Sequence, residues 1–325
     1  MSGLPLVVIA ITLQALTNGL LSDHVDSTES LLLSFIAFGT SALVFGVVAR
    51  VRPDPGRPAI RGARLRLMLL LNVATAVTFL GFYWSLSVIP APLAAALETG
   101  IGPLAMAGFR VRQSTGLRRV AELGLGTLAL LLALSVAVRM GAVGQLGRGH
   151  SPAMLPIGAG MAAVAGCSAA AIATISHRLG QLRVSPVQVT AHRFHLTYLL
   201  ALTALIHSGG PAAGLTSSRV AFIATLAVLG ASLPLFVLQI GMHRTAPLTV
   251  TVLASAVPGL TYLTAAVVGH QRFDAVSFAL INASLGVAFL GPIVLRRLSM
   301  SSSVATPLRS RHEHHADLPA QAPSR

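Results

Sequence analysis

Apolar runs of about 20 residues recur along this chain from Leu4 to Leu295, separated by short stretches rich in arginine. An α-helix of about 20 apolar residues spans the hydrocarbon core of a bilayer and bonds its own backbone groups on the way across. That one pattern sets aside most soluble folds. Composition agrees: 54% of the residues are apolar and only 10% are charged, against about a quarter charged in a soluble domain. The net charge of +14 does not describe a nucleic-acid interface, because the cations sit in loops between apolar runs. No basic face interleaved with aromatics exists to meet a phosphate backbone. The single cysteine, Cys167, excludes an internal disulfide and a metal site of cysteine type.

Ten spans are expected: about Leu4–Leu21, Leu31–Ala49, Leu67–Val88, Ala91–Phe109, Val120–Val138, Pro152–Ile175, Pro186–Ile206, Val220–Met242, Pro247–Val268 and Ala275–Leu295. The first has no arginine-rich front end and no small-residue cleavage site, so it reads as a span and not as a signal peptide. Residues 300–325, rich in Ser, Pro and His, read as a disordered cytoplasmic tail. Its His312-Glu313-His314-His315 run has no ordered scaffold around it to hold a metal. Arginine bias orients the chain. Loops holding Arg50, Arg52, Arg57, Arg61, Arg64 and Arg66, then Arg110, Arg112, Arg118 and Arg119, fall on one side. Arg139, Arg148, Arg219 and Arg272 fall on the other. Both termini are therefore expected in the cytoplasm, and the chain in the inner (plasma) membrane.

One stretch repeats. Ala91-Pro92-Leu93 followed by Pro103 returns as Ala246-Pro247-Leu248 followed by Pro258, at a constant offset. The two copies fall on spans four and nine, which correspond if the chain divides five plus five. Five is odd, so the halves must be inserted in opposite directions. The expectation is an all-α integral membrane protein of ten transmembrane helices in two inverted five-helix repeats, residues 1–147 and 148–299. Helices interrupted in corresponding positions of two such halves point to a transporter binding site near the midplane.

The segment Phe82-Tyr83-Trp84-Ser85-Leu86-Ser87-Val88-Ile89-Pro90, running into Ala91–Pro103, resembles the third-to-fourth-helix signature of the EamA-type permeases of the drug/metabolite transporter superfamily. Gly230 to Pro258, then Gly269-His270-Gln271-Arg272-Phe273 and Gly286, is similar to the same signature in the second half. Glu98-Thr99-Gly100-Ile101-Gly102-Pro103-Leu104-Ala105 resembles more closely the threonine/homoserine exporter branch. The chain departs from the pattern at His270, where many members carry Glu, and at Ser34-Phe35, where many carry Arg-Phe; the second half keeps Arg193-Phe194. The resemblance implies a ten-helix secondary carrier, usually an exporter, without an ATP site. The chain contains no lysine, so no phosphate-binding loop of Walker type can be completed.

Glu98 is the leading candidate for function. A carboxylate deep in an apolar span costs about 2.5–3.5 kcal/mol on insertion scales, so it marks a site or a permanent pair. It can carry a proton or grip a substrate amine. Arg193 can bind a substrate carboxylate, or it can snorkel to the interface. His192 can relay protons or be a hydrogen-bonded bundle histidine. Gln14 and Asn18, one turn apart, and Gln239 either line the cavity or join helices. Tyr83, Trp84 and Tyr262 are cavity or interfacial aromatics. Pro103 and Pro258 are expected to break their helices. Glu122 and Asp274 sit at helix starts, where an acid is favourable. Ala162, Gly166 and Ala170 read as close-packing residues.

These residues suggest a secondary active transporter working by alternating access, a proton-coupled exporter of an amino acid or similar small polar metabolite. Efflux of a drug-like or lipophilic secondary metabolite is the alternative, and a non-transporting membrane scaffold a further one. No nucleophile–base pair or paired acids at one depth suggest an enzyme. The expected partners are a small-molecule substrate and membrane lipid, with no nucleic acid; a homodimer stays open. No cofactor or metal is expected.

Overall fold

The computed structural model describes residues 3–21, 27–51, 60–110, 116–143, 154–208, 215–269 and 272–283, with 286, 287, 290 and 293. The tail at 300–325, most of the far half of the tenth span and several loops lie outside them. Among the described residues the secondary structure is helical. The helices are α1 (Leu4–Leu21), α2 (Ser27–Val51), α3 (Ala63–Leu86), α4 (Ala91–Arg110), α5 (Gly116–Ala142) and α6 (Leu155–Gln181). They continue with α7 (Pro186–His192), α8 (His195–His207), α9 (Ser217–Thr225), α10 (Leu233–Arg244), α11 (Pro247–Ala254) and α12 (Val257–Val267). A π-helical segment, Leu226–Ser232, joins α9 to α10. Residues 275–283 are helical as well.

Among the described residues, eight helical stretches are long and apolar enough to cross a membrane. Large apolar side chains face outward along them, with Leu43 69%, Leu69 59% and Val138 73% exposed. Water would penalise such a surface heavily and lipid does not, so the structure fits a multi-pass α-helical membrane protein.

The two halves of the chain share one core. α3 and α4 both pack on α6, α2 packs on α7 and α8, and α1 packs on α10 and α12. One hydrophobic cluster runs from Val7 to Ile281 and includes Phe38, Phe79, Phe194 and Tyr262. Small residues allow the closest approaches, as the stripe on α6 suggests. A Cβ at Gly166 would stand 2.1 Å from the Glu98 carbonyl oxygen and 2.2 Å from Ile101 Cγ2. Ala162 and Ala170, a turn away on either side, are fully buried.

Three spans of the second half are irregular. Span seven stops at His192 and restarts at His195. Its entry is well specified: the Ser185 hydroxyl accepts the Gln188 N–H, the Gln188 side chain accepts the Ser185 N–H, and Pro186 stands in the first turn. The break itself is held from outside by Asn72 of α3. Its Nδ2 donates to the His192 carbonyl at 2.6 Å and its Oδ1 accepts the Leu196 N–H at 3.3 Å. Span eight carries the π segment, where the Ser232 hydroxyl donates to the Ala37 carbonyl on α2 at 2.7 Å. Span nine breaks at Ser255–Ala256, and Pro258 falls in the first turn of α12, where no N–H is needed. Pro103 behaves differently from what its echo suggests. It lies inside α4, which runs through it without interruption.

Ion pairs connect the halves. Arg219 of α9 grips Glu29 of α2 through Nε and Nη2 at 2.6 and 2.9 Å. Arg139 of α5 holds Asp274 through Nε and Nη2 at 3.0 and 2.8 Å. Asp274 also accepts the Ser277 N–H at 2.8 Å, the bond expected of an acid at a helix start.

Candidate functional site: a central cavity between the halves

A cavity of about 100 Å³ lies at the centre of the bundle. Glu98 and Thr99 of α4, Thr78 of α3 and Gln14 of α1 reach it from the first half. Arg193, at the break in span seven, and Thr251 of α11 reach it from the second. The remaining wall is apolar, with Phe79, Ile172 and Leu235 among its side chains. Acid and base thus meet one space from opposite halves.

The Arg193 side chain is 1% exposed. That settles its direction: it turns into the bundle and does not snorkel to the interface. The break makes this possible, because Arg193 and Phe194 form the turn between α7 and α8. The guanidinium Nη1 donates to Gln239 Oε1 of α10. Ser176 on α6 donates to the same oxygen at 3.5 Å. The Phe194 ring lies 4.8 Å from the guanidinium carbon, a cation–π distance. Arg193 Nε and Gln239 Nε2 are buried without a hydrogen-bond partner among the described residues. Unpaired donors at such depth are costly, and an anionic ligand group in the cavity would relieve the cost.

The other expected residues divide. Gln14 lines the cavity, while Asn18, one turn on, is buried in helix packing and does not line it. Gln239 does not line the cavity; its side-chain oxygen accepts from Arg193. His192 belongs elsewhere: it lies with His195 in a groove on the outside of the bundle. The backbone turn at Arg193 separates the two neighbours, one side chain inward and one outward. Tyr83 packs against Phe79 and Phe82. With Trp84 it lines a separate apolar pocket of about 570 Å³ at the side of the bundle. Trp84 is 38% exposed. Tyr262 is fully buried away from the cavity, and its hydroxyl accepts the Asp274 N–H at 2.8 Å. That bond makes it a strut for the loop before the tenth span. Pro258 opens α12 beside Val257, which lines the cavity.

Several participants had little or no signal of their own in the sequence. Thr99 adjoins Glu98, and Thr251 falls within the repeated stretch. Thr78, Ser176 and Asn72 stand among apolar neighbours with nothing to single them out. Among the described residues no group of three or more His, Cys, Asp or Glu side chains is placed to hold a metal ion.

No family model matches the sequence, and no curated protein matches it. A solved structure, described as "Crystal structure of protein", is similar over 90% of this chain and 96% of its own, with a TM-score of 0.61 and 20% sequence identity. At that identity the likeness establishes a shared fold and nothing about function.

Proposed function

We propose that this chain is a secondary active carrier of the EamA type, with ten spans in two inverted repeats, residues 1–147 and 148–299. It sits in the inner membrane with both termini in the cytoplasm and exports an amino acid or similar small polar metabolite by alternating access. Glu98 takes the substrate ammonium or the coupling proton, and Arg193 takes the substrate carboxylate. The observation that carries this reading is the convergence of Glu98 and Arg193, one from each half, on a single central cavity. A cavity of about 100 Å³ lies below the about 300–1,000 Å³ that drug-sized ligands occupy, which favours a small metabolite. The interruptions at Arg193–Phe194 and Ser255–Ala256 supply irregular backbone beside the cavity, as carrier sites use.

The test is efflux from proteoliposomes with an imposed pH gradient, comparing the wild type with Glu98→Gln across a panel of amino acids. The expected result is gradient-driven efflux of at least one of them, lost in the variant. Equal, gradient-dependent efflux from both would remove Glu98 from coupling. A lipophilic cargo is the second reading, favoured by the apolar side pocket at Tyr83 and Trp84. A resistance profile of an expressing strain separates it from the first.

A further inference from the structure

The groove that holds His192 has a chemistry of its own. It runs between α2 and the α7–α8 pair on the outer surface of the bundle, with a volume of about 670 Å³. Arg50, in the last turn of α2, and Gln188, in the first turn of α7, stand at one end. His192 and His195 follow, their ring centroids 5.8 Å apart. The Tyr198 hydroxyl lies 3.3 Å from His195 Nδ1. The α2 wall is apolar and notched: at Gly39 and Gly46 nothing lies within 4 Å of an added Cβ. Leu43, between them, is 69% exposed, so the groove opens sideways to the surroundings of the bundle. Among the described residues no carboxylate lines it.

We propose that this groove binds one anionic phospholipid, with the phosphate between Arg50 and His192 and an acyl chain along Gly39, Leu43 and Gly46. Charge complementarity carries the assignment. The Arg50 guanidinium and two imidazoles able to donate hydrogen bonds gather where a span ends, with no carboxylate lining the groove among the described residues, above a wall fit for hydrocarbon. Basic pockets between spans at that level bind anionic headgroups. A soluble anion would gain Arg50 and the imidazoles but nothing from the wall. A zwitterionic lipid would gain the wall but less from Arg50, its own cation offsetting the phosphate. The assignment stands independently of what the central cavity carries.

The test is native mass spectrometry of the full-length protein, delipidated and then titrated with phosphatidylglycerol or with phosphatidylcholine of the same chains. The wild type is expected to retain one phosphatidylglycerol in preference to phosphatidylcholine. Arg50→Gln is expected to weaken that retention about fivefold, the worth of one cationic contact at a membrane surface. Gly46→Trp should displace the lipid with every charge in place. Glycerol 3-phosphate at equal concentration should not compete. Should Gly46→Trp fail to fold, Arg50→Gln and His192→Gln alter only exposed side chains and keep the test intact. Equal retention in wild type and variants, equal retention of the two lipids, or displacement by glycerol 3-phosphate would each overturn the proposal.

Discussion

Asn72 Nδ2 donates to the His192 carbonyl at 2.6 Å, so a side chain of α3 holds shut the gap where span seven is interrupted. The same amide accepts the Leu196 N–H from beyond the gap. Two backbone groups that an unbroken helix would pair internally are thereby satisfied, and the turn that sends Arg193 inward becomes affordable.

Asn72→Leu therefore removes the partner of both groups. The expected loss is about 1–3 kcal/mol, read as a lower thermal midpoint in detergent. Asn72→Asp keeps an acceptor for Leu196 and loses the donor to His192, so it should fall between Leu and wild type. A midpoint for Asn72→Leu equal to that of wild type would show that the break holds itself.

Gln239 gives Arg193 its acceptor. Gln239→Leu should cost about 1.5–3 kcal/mol, the worth of a hydrogen bond to a charged group. Gln239→Glu restores an acceptor and neutralises the guanidinium charge. On the proposed reading it keeps stability near wild type while weakening transport of a carboxylate-bearing substrate. Thermal melts and efflux assays on the same preparations separate the two effects.

Gly166 has no room for a methyl group, because its Cβ would meet the Glu98 carbonyl at 2.1 Å. Gly166→Ala must push α4 away from α6 at the residue that lines the cavity. Overpacking of this kind costs about 1–3 kcal/mol. Gly160→Ala on the same helix meets nothing within 4 Å and is expected to be neutral or up to about 1 kcal/mol stabilising through helix propensity. Melting curves of the pair check the contrast.

The Asp274 carboxyl is held well below its ordinary 3.8, chiefly by the Arg139 guanidinium and then by Ser277. A depressed folded-state value means that the stabilisation is full above the unfolded value and drains away as pH falls below it. The wild type should lose thermal stability progressively below about pH 4, and Asp274→Asn should lose less over the same range while starting lower at neutral pH. Midpoints measured from pH 7 down to the acid limit for both proteins test the sign; parallel curves would discount the pair.

Much of the fold was legible because a membrane span is a local property. Twenty apolar residues in a row identify a helix without reference to anything else, and α1, α3, α4 and the α7–α8 pair fall within a few residues of the expected bounds. Breaks were less legible. Pro258 sits at one, yet Pro103 does not, because a proline inside a helix removes one bond and the neighbouring helices decide whether the chain yields. The break at Arg193–Phe194 has no proline at all. It is bridged by Asn72, more than a hundred residues away in sequence.

The site shows the same division. Glu98 stood out because an acid amid apolar residues is conspicuous in any context. His192 and Arg193 are adjacent and look equally eligible, but one faces outward and the other the cavity. Tyr262 seemed to share Tyr83's options, yet its hydroxyl is committed to the Asp274 backbone.

By itself the sequence determined that this chain forms apolar helices suited to a bilayer, and that Glu98 falls inside one of their apolar runs. The tertiary structure alone decided that Arg193 joins Glu98 at one cavity and that His192 does not. Helix formation follows from hydrophobicity and backbone bonding along a few turns, whereas side-chain direction at a break depends on partners supplied by distant helices.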